Sequence, residues 1–239
     1  MPPADTQQAS SKQASAQQAS ASSRASSGSV QGPADSASKR HLGAAINVWH
    51  VLAAFACMAA SFLTLRADGI PSLRALVNNE AYFNAGNPLL LDQRRGGYTL
   101  EVAREHLAAL GTAAASYYAD TYLALYDLVF PILLLAFGVL FILYATNAAH
   151  ARGIDVSPWV QRLMLAVPVA LFVFDMAENL CVYSMLEMYP AVNAKLVETA
   201  SMFTQLKWLA AFIEGVLLLG LIVYTVHRHI EEVGPKPKP

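Results

Sequence analysis

Four stretches of the chain are apolar for long enough to cross a bilayer: residues 44–65, 118–144, 159–186 and 201–226. A helix rising about 1.5 Å per residue needs ~20 residues to span the hydrocarbon, so each stretch is expected to be a transmembrane helix. Between the first two, Leu100, Ala103, Leu107 and Leu110 recur at helical spacing, with Glu101, Arg104 and Glu105 on the other side. This pattern predicts an amphipathic loop helix over about 100–110, with Thr99 as its N-cap and Gly111 ending it. Such a helix is expected on the membrane surface or over the bundle, with Leu107 protected from water and Glu105 accessible.

Residues 1–41 follow neither period. Gln-Ala-Ser recurs at 8–10, 13–15 and 18–20, and Val30 is the only large aliphatic residue there after Met1. No core can form from such a segment, so a disordered Ser/Ala/Gln-rich tail is expected. Residues 42–229 would then make the four-span domain and 230–239 a polar C-terminal tail. The expected fold class is all-α: a polytopic membrane four-helix bundle with a disordered N-terminal tail and one surface amphipathic helix.

Charge and composition narrow the function classes. Hydrophobic residues make up 55% of the chain and charged residues 14%, against ~25% charged in soluble domains. A net charge of −1 provides no basic field for nucleic acid. Cys57 and Cys181 both fall in apolar stretches and are expected as packing residues, not as a disulfide framework. The tail has no apolar h-region for a secretory signal, and its single arginine before position 40 is poor for a transit peptide. Nine Lys/Arg fall on the side of the termini and the 147–158 turn, against six on the other side. The positive-inside rule then predicts an integral membrane protein with cytoplasmic N- and C-termini.

The polar residues inside the apolar stretches are the candidate chemistry, because ionisable groups at membrane depth are costly unless they face protein, a partner or water. Asp175, Glu178 and Asn179 project within one sector of the third span. On the second span Asp120 and Asp127 are seven apart and expected on one face. Pro131 cannot donate to the carbonyl of Asp127, which predicts a kink and a free acceptor there. Thr204, Lys207, Ala211, Glu214 and Gly215 lie along a stripe of the fourth span, with Ala211 and Gly215 as a small-xxx-small pair. Helical rise puts Asp127 and Glu178 roughly 12 Å deep, Lys207 roughly 9 Å, Asp175 roughly 16 Å and Glu214 roughly 20 Å from the same side. The tyrosines Tyr118, Tyr122 and Tyr126 recur every four residues, a stripe suited to the headgroup level and just below it. The histidines His50, His106, His227 and His229 are expected as interfacial or solvated side chains.

Motifs for catalysis are thin. The chain has no Gly-x-Ser-x-Gly, no His-Glu-x-x-His, no Walker loop and no Cys-x-x-Cys. The carboxylates lack a well-placed histidine, so no metal and no cofactor is expected.

Read in order, Leu91-Asp92, Gly97-Tyr98-Thr99, Leu110-Gly111, Tyr126-Asp127-x-x-Phe130-Pro131, Asp175-x-x-Glu178-Asn179 and Thr204-x-x-Lys207-Trp208 resemble a family of small four-span polytopic membrane proteins. The resemblance covers about residues 90–221. It departs at Gly111-Thr-Ala-Ala-Ala, where the family is often Gly-Arg-rich. It implies the four-span fold and the site, and supplies no reaction.

Three readings follow. Asp127, Asp175, Glu178, Asn179, Lys207 and Glu214 can form a pocket for a lipid-like or cationic small ligand, or for a proton. Asp127, Asp175 and Glu178 can instead move protons on a lipid as an enzyme's carboxylates. The cluster can also merely fix helix packing in a structural or assembly subunit. Expected partners are membrane lipid and a small apolar or cationic ligand.

Overall fold

The computed structural model describes residues 46–233, with side chains to residue 227. The expected disordered tail at 1–41, the last six residues of the polar C-terminal tail and the side chain of His229 lie outside the described residues. Within them the fold is all-helical, as expected, and four helices are long and apolar enough to cross a membrane.

Helix α1 (Val48–Thr64) opens with a capping box, in which Asn47 accepts from the N–H groups of Trp49 and His50 and His50 Nδ1 accepts from the N–H of Asn47. It does not stop at Arg66. A π-helical turn (Leu65–Gly69) carries it into α2 (Ile70–Arg74), so that this helical run ends at Arg74. After α3 (Glu80–Asn84) and a 3-10 turn (Leu91–Gln93) comes α4 (Leu100–Tyr117), which is broken at Gly111. A second π-helical segment (Tyr118–Tyr126) leads into α5 (Asp127–Ala151), followed by α6 (Pro158–Met188) and α7 (Ala194–Val233). Helix α5 packs against α1, α6 and α7, and α6 pairs extensively with α7. Large apolar side chains such as Leu63, Val173, Leu180, Phe212 and Leu219 face outward, as a lipid-facing surface requires.

The loop and the first half of α4 pack over one end of the bundle. Thr99 caps the helix by accepting from the N–H of Val102, and Leu107 is buried while Glu105 is exposed. At Gly111 φ is +73°, and the helix-end carbonyls just before it are taken up by the chain itself: the N–H of Asn78 donates to Leu110 and that of Asn79 to Ala109, both at 2.9 Å. Asn78 presses so closely on Gly111 that a Cβ there would stand 2.6 Å from its own.

Burial and helical register overturn two local expectations. His106 is fully buried, not solvated, because the loop folds back over α4 and sets the rings of Phe83 and Tyr82 at 5.4 and 6.3 Å from the imidazole. Tyr118 and Tyr122 are buried in the core beneath the same cap, and Tyr126 donates to the carboxylate of Asp68. Asp120 and Asp127 do not share a face. The π-helical segment between them, whose N–H groups bond five residues back, slips the α-helical register, leaving Asp120 exposed and Asp127 buried.

Candidate functional site

Lys207 lies at the centre of the site. It is 8% exposed, and its Nζ stands 3.0 Å from Asp175 Oδ1 and 3.3 Å from Asp92 Oδ2, and closes an ion pair with Glu178. Each partner comes from a different place. Asp175 and Glu178 are three apart on α6 and share its inner face, Lys207 points across from α7, and Asp92 descends from the 3-10 turn of the loop. Glu178 is fully buried and also accepts from the hydroxyl of Thr204, one turn before Lys207. Three carboxylates surround one ammonium and compensate the desolvated lysine, Asp92 as a hydrogen-bond acceptor and Asp175 and Glu178 as ion-pair partners.

Asp92 is the site residue that periodicity could not reveal, because it belongs to a loop with no helical repeat. Its position is fixed from α7: the indole N–H of Trp208 donates to the backbone carbonyl of Asp92 at 2.8 Å, and the guanidinium of Arg95 sits 4.2 Å above the Trp208 ring. The neighbouring turn is tied down where the N–H of Tyr98 donates to Ser201 Oγ at 2.8 Å. Burial, with Glu178 nearby, pushes the Tyr98 phenol above its ordinary range, so its hydroxyl stays protonated.

Asp127 stands beside this ion cluster without joining it. Its backbone carbonyl, freed by Pro131, accepts from the Asn179 side-chain amide at 3.2 Å. The residue is 8% exposed, and its carboxylate has no hydrogen-bond or ion-pair partner among the described residues. It faces a cavity of about 340 Å3 bordered by Asp92, Asp175 and Lys207 and otherwise largely by apolar side chains, among them Phe62, Leu65, Ile70, Phe130, Leu134, Leu171 and Ala211. Arg66, exposed, also borders the cavity.

The structure therefore brings together Asp127, Asp175, Glu178, Asn179 and Lys207, with Asp175, Lys207 and Asp127 on the cavity wall and Glu178 and Asn179 behind it. Glu214 does not border the cavity; it is buried against Gly138 of α5 and Pro168 of α6. Gly215 faces open space, so the close approach expected at Ala211 and Gly215 occurs instead at Gly138. Among the described residues no group of three or more His, Cys, Asp and Glu side chains could hold a metal ion. No protein-family model, curated protein or solved structure matches the chain.

Proposed function

We infer that this integral membrane protein binds a lipid-like molecule with a cationic head in the cavity between α1, α5, α6 and α7. The ammonium of such a ligand would rest on Asp127, and its chain would run along Phe62, Phe130, Leu134 and Leu171. One observation carries this reading: the Asp127 carboxylate lies unpaired on the cavity wall while the buried lysine beside it is already shared by three other acids. A lone carboxylate in a low-dielectric site needs a proton, a cation or water. The volume suits a small organic ligand, and the apolar lining with a few convergent polar groups is the ordinary make-up of such sites.

The motifs behind the family resemblance contribute Asp92, Asp127, Asp175, Glu178, Asn179, Thr204 and Lys207. Membership in that family of small four-span proteins is part of the same reading, as is a topology with both termini in the cytoplasm. Helix packing alone does not account for Asp127, whose side chain bonds to no other helix.

The test is thermal unfolding of the purified protein with a long-chain alkylammonium below its micellar concentration, against the matching alkyl alcohol. The amine is expected to raise the midpoint, the alcohol much less, and Asp127→Asn is expected to abolish the difference while Glu105→Gln keeps it. Equal stabilisation by amine and alcohol would reject the cationic head. An accumulating lipid precursor in a deletion strain would favour the enzyme reading instead.

A further inference from the structure

Beyond the cavity lies a second buried acid that takes no part in the ion cluster. Glu214 is 3% exposed, and neither of its carboxylate oxygens has a hydrogen-bond partner among the described residues. Two helices make room for it. A Cβ on Gly138 would collide with Glu214 Oε1 and stand 3.0 Å from Pro168 Cβ, so the carboxyl group fills the space that the glycine leaves. Three residues bordering the cavity, Leu134, Leu171 and Ala211, are each one helical turn from Gly138, Pro168 and Glu214 respectively. The three helices around the acid thus each border the cavity one turn away.

Among the described residues no neighbouring charge is placed to hold Glu214 ionised. On α7, Lys207 is seven residues away, about 10 Å along the axis, and is engaged by Asp92, Asp175 and Glu178. Along α6 from Pro168, the nearest ionisable groups are Asp175 at seven residues and the exposed Arg162 at six. Along α5 from Gly138 they are Tyr144 at six residues and Asp127 at eleven, and α1 carries only Cys57 between His50 and Arg66. An unpaired carboxylate in such surroundings is strongly disfavoured, whereas a neutral carboxylic acid is tolerated.

We propose that Glu214 is a proton-binding site within the bundle, holding a proton at neutral pH and exchanging it through the cavity. The carboxyl group itself lies outside the cavity, so this proton site does not rest on the ligand proposed for the cavity. It gives the protein two acidic stations on one face of α7: the lysine-bound cluster, and a neutral acid two turns further in.

Infrared difference spectroscopy of the full chain in lipid tests this. Subtracting Glu214→Gln from the wild type at neutral pH is expected to leave the C=O stretch of a protonated carboxyl. Gly138→Ala, which crowds the group without removing it, is expected to shift the same band should the glutamine variant fold poorly. Carboxylate bands in place of the carboxyl band would overturn the proposal. Ala211→Leu, which enlarges the cavity-wall residue one turn before Glu214, is expected to slow the deuterium shift of that band in heavy water about tenfold. An unchanged rate would overturn the cavity route.

Discussion

The side-chain amide of Asn179 donates at 3.2 Å to the backbone carbonyl of Asp127, the acceptor that Pro131 leaves without its helical donor. One hydrogen bond therefore ties the first turn of α5 to the face of α6 that carries Glu178 and Asp175. Removing it should strand a buried carbonyl, so Asn179→Ala is expected to lower stability by about 1–3 kcal/mol. Pro131→Ala restores an N–H for that carbonyl, and in its background the same substitution should cost about 1 kcal/mol less. Reversible unfolding of the four proteins of this cycle in detergent checks the coupling. Equal losses in both backgrounds would show that the amide acts elsewhere.

Lys207 holds three carboxylates together. Lys207→Met would leave Asp92, Asp175 and Glu178 facing one another without a counter-ion, and it should lower stability by about 3–5 kcal/mol, the range for breaking a buried pair. Adding Glu178→Gln removes the most deeply buried of the three charges, so the double variant should be more stable than Lys207→Met alone. Unfolding midpoints in one detergent compare them. A double variant weaker than the single would mean that Glu178 does more than neutralise the lysine.

The convergence of Asp127, Asp175, Glu178 and Lys207 was legible in the sequence because helical rise fixes depth, and depth alone matches residues on antiparallel spans. Rotation about the axis was less legible. The π-helical segment at Tyr118–Tyr126 depends on tertiary packing, and it separates Asp120 from Asp127 even though α-helical spacing would align them. Asp92 and the burial of His106 both depend on how a loop without periodicity folds back. Glu214 does lie on the stripe that its spacing predicted, yet only the packing of Gly138 and Pro168 around it shows that it sits outside the cavity.

Gly111 meets two constraints at once. Its φ of +73° is a conformation that side chains resist, and Asn78 occupies the place of a Cβ. Gly111→Ala should cost about 1–3 kcal/mol and loosen the contact of α4 with the loop. Cysteine substituted at Leu107 should label slowly from water in the parent protein, and several-fold faster in the Gly111→Ala background. An unchanged labelling rate would mean that the cap holds without this break.

Trp208 links the loop to α7 through both its edge and its face. The indole N–H donates to the carbonyl of Asp92 at 2.8 Å, and the ring lies beneath the guanidinium of Arg95 at 4.2 Å. Trp208→Phe keeps a ring for Arg95 but removes the donor, leaving the Asp92 carbonyl unpaired at a penalty of about 1–3 kcal/mol. If the turn then relaxes, Asp92 moves away from Lys207 and the cavity loses one acidic wall. Affinity for the long-chain alkylammonium should fall with stability in Trp208→Phe. Asp92→Asn, which keeps the backbone acceptor, should weaken binding with a smaller loss of stability. Calorimetric titration and unfolding of the two variants separate these effects. Full affinity in Trp208→Phe would show that Asp92 is held in place by the ion pair with Lys207 alone.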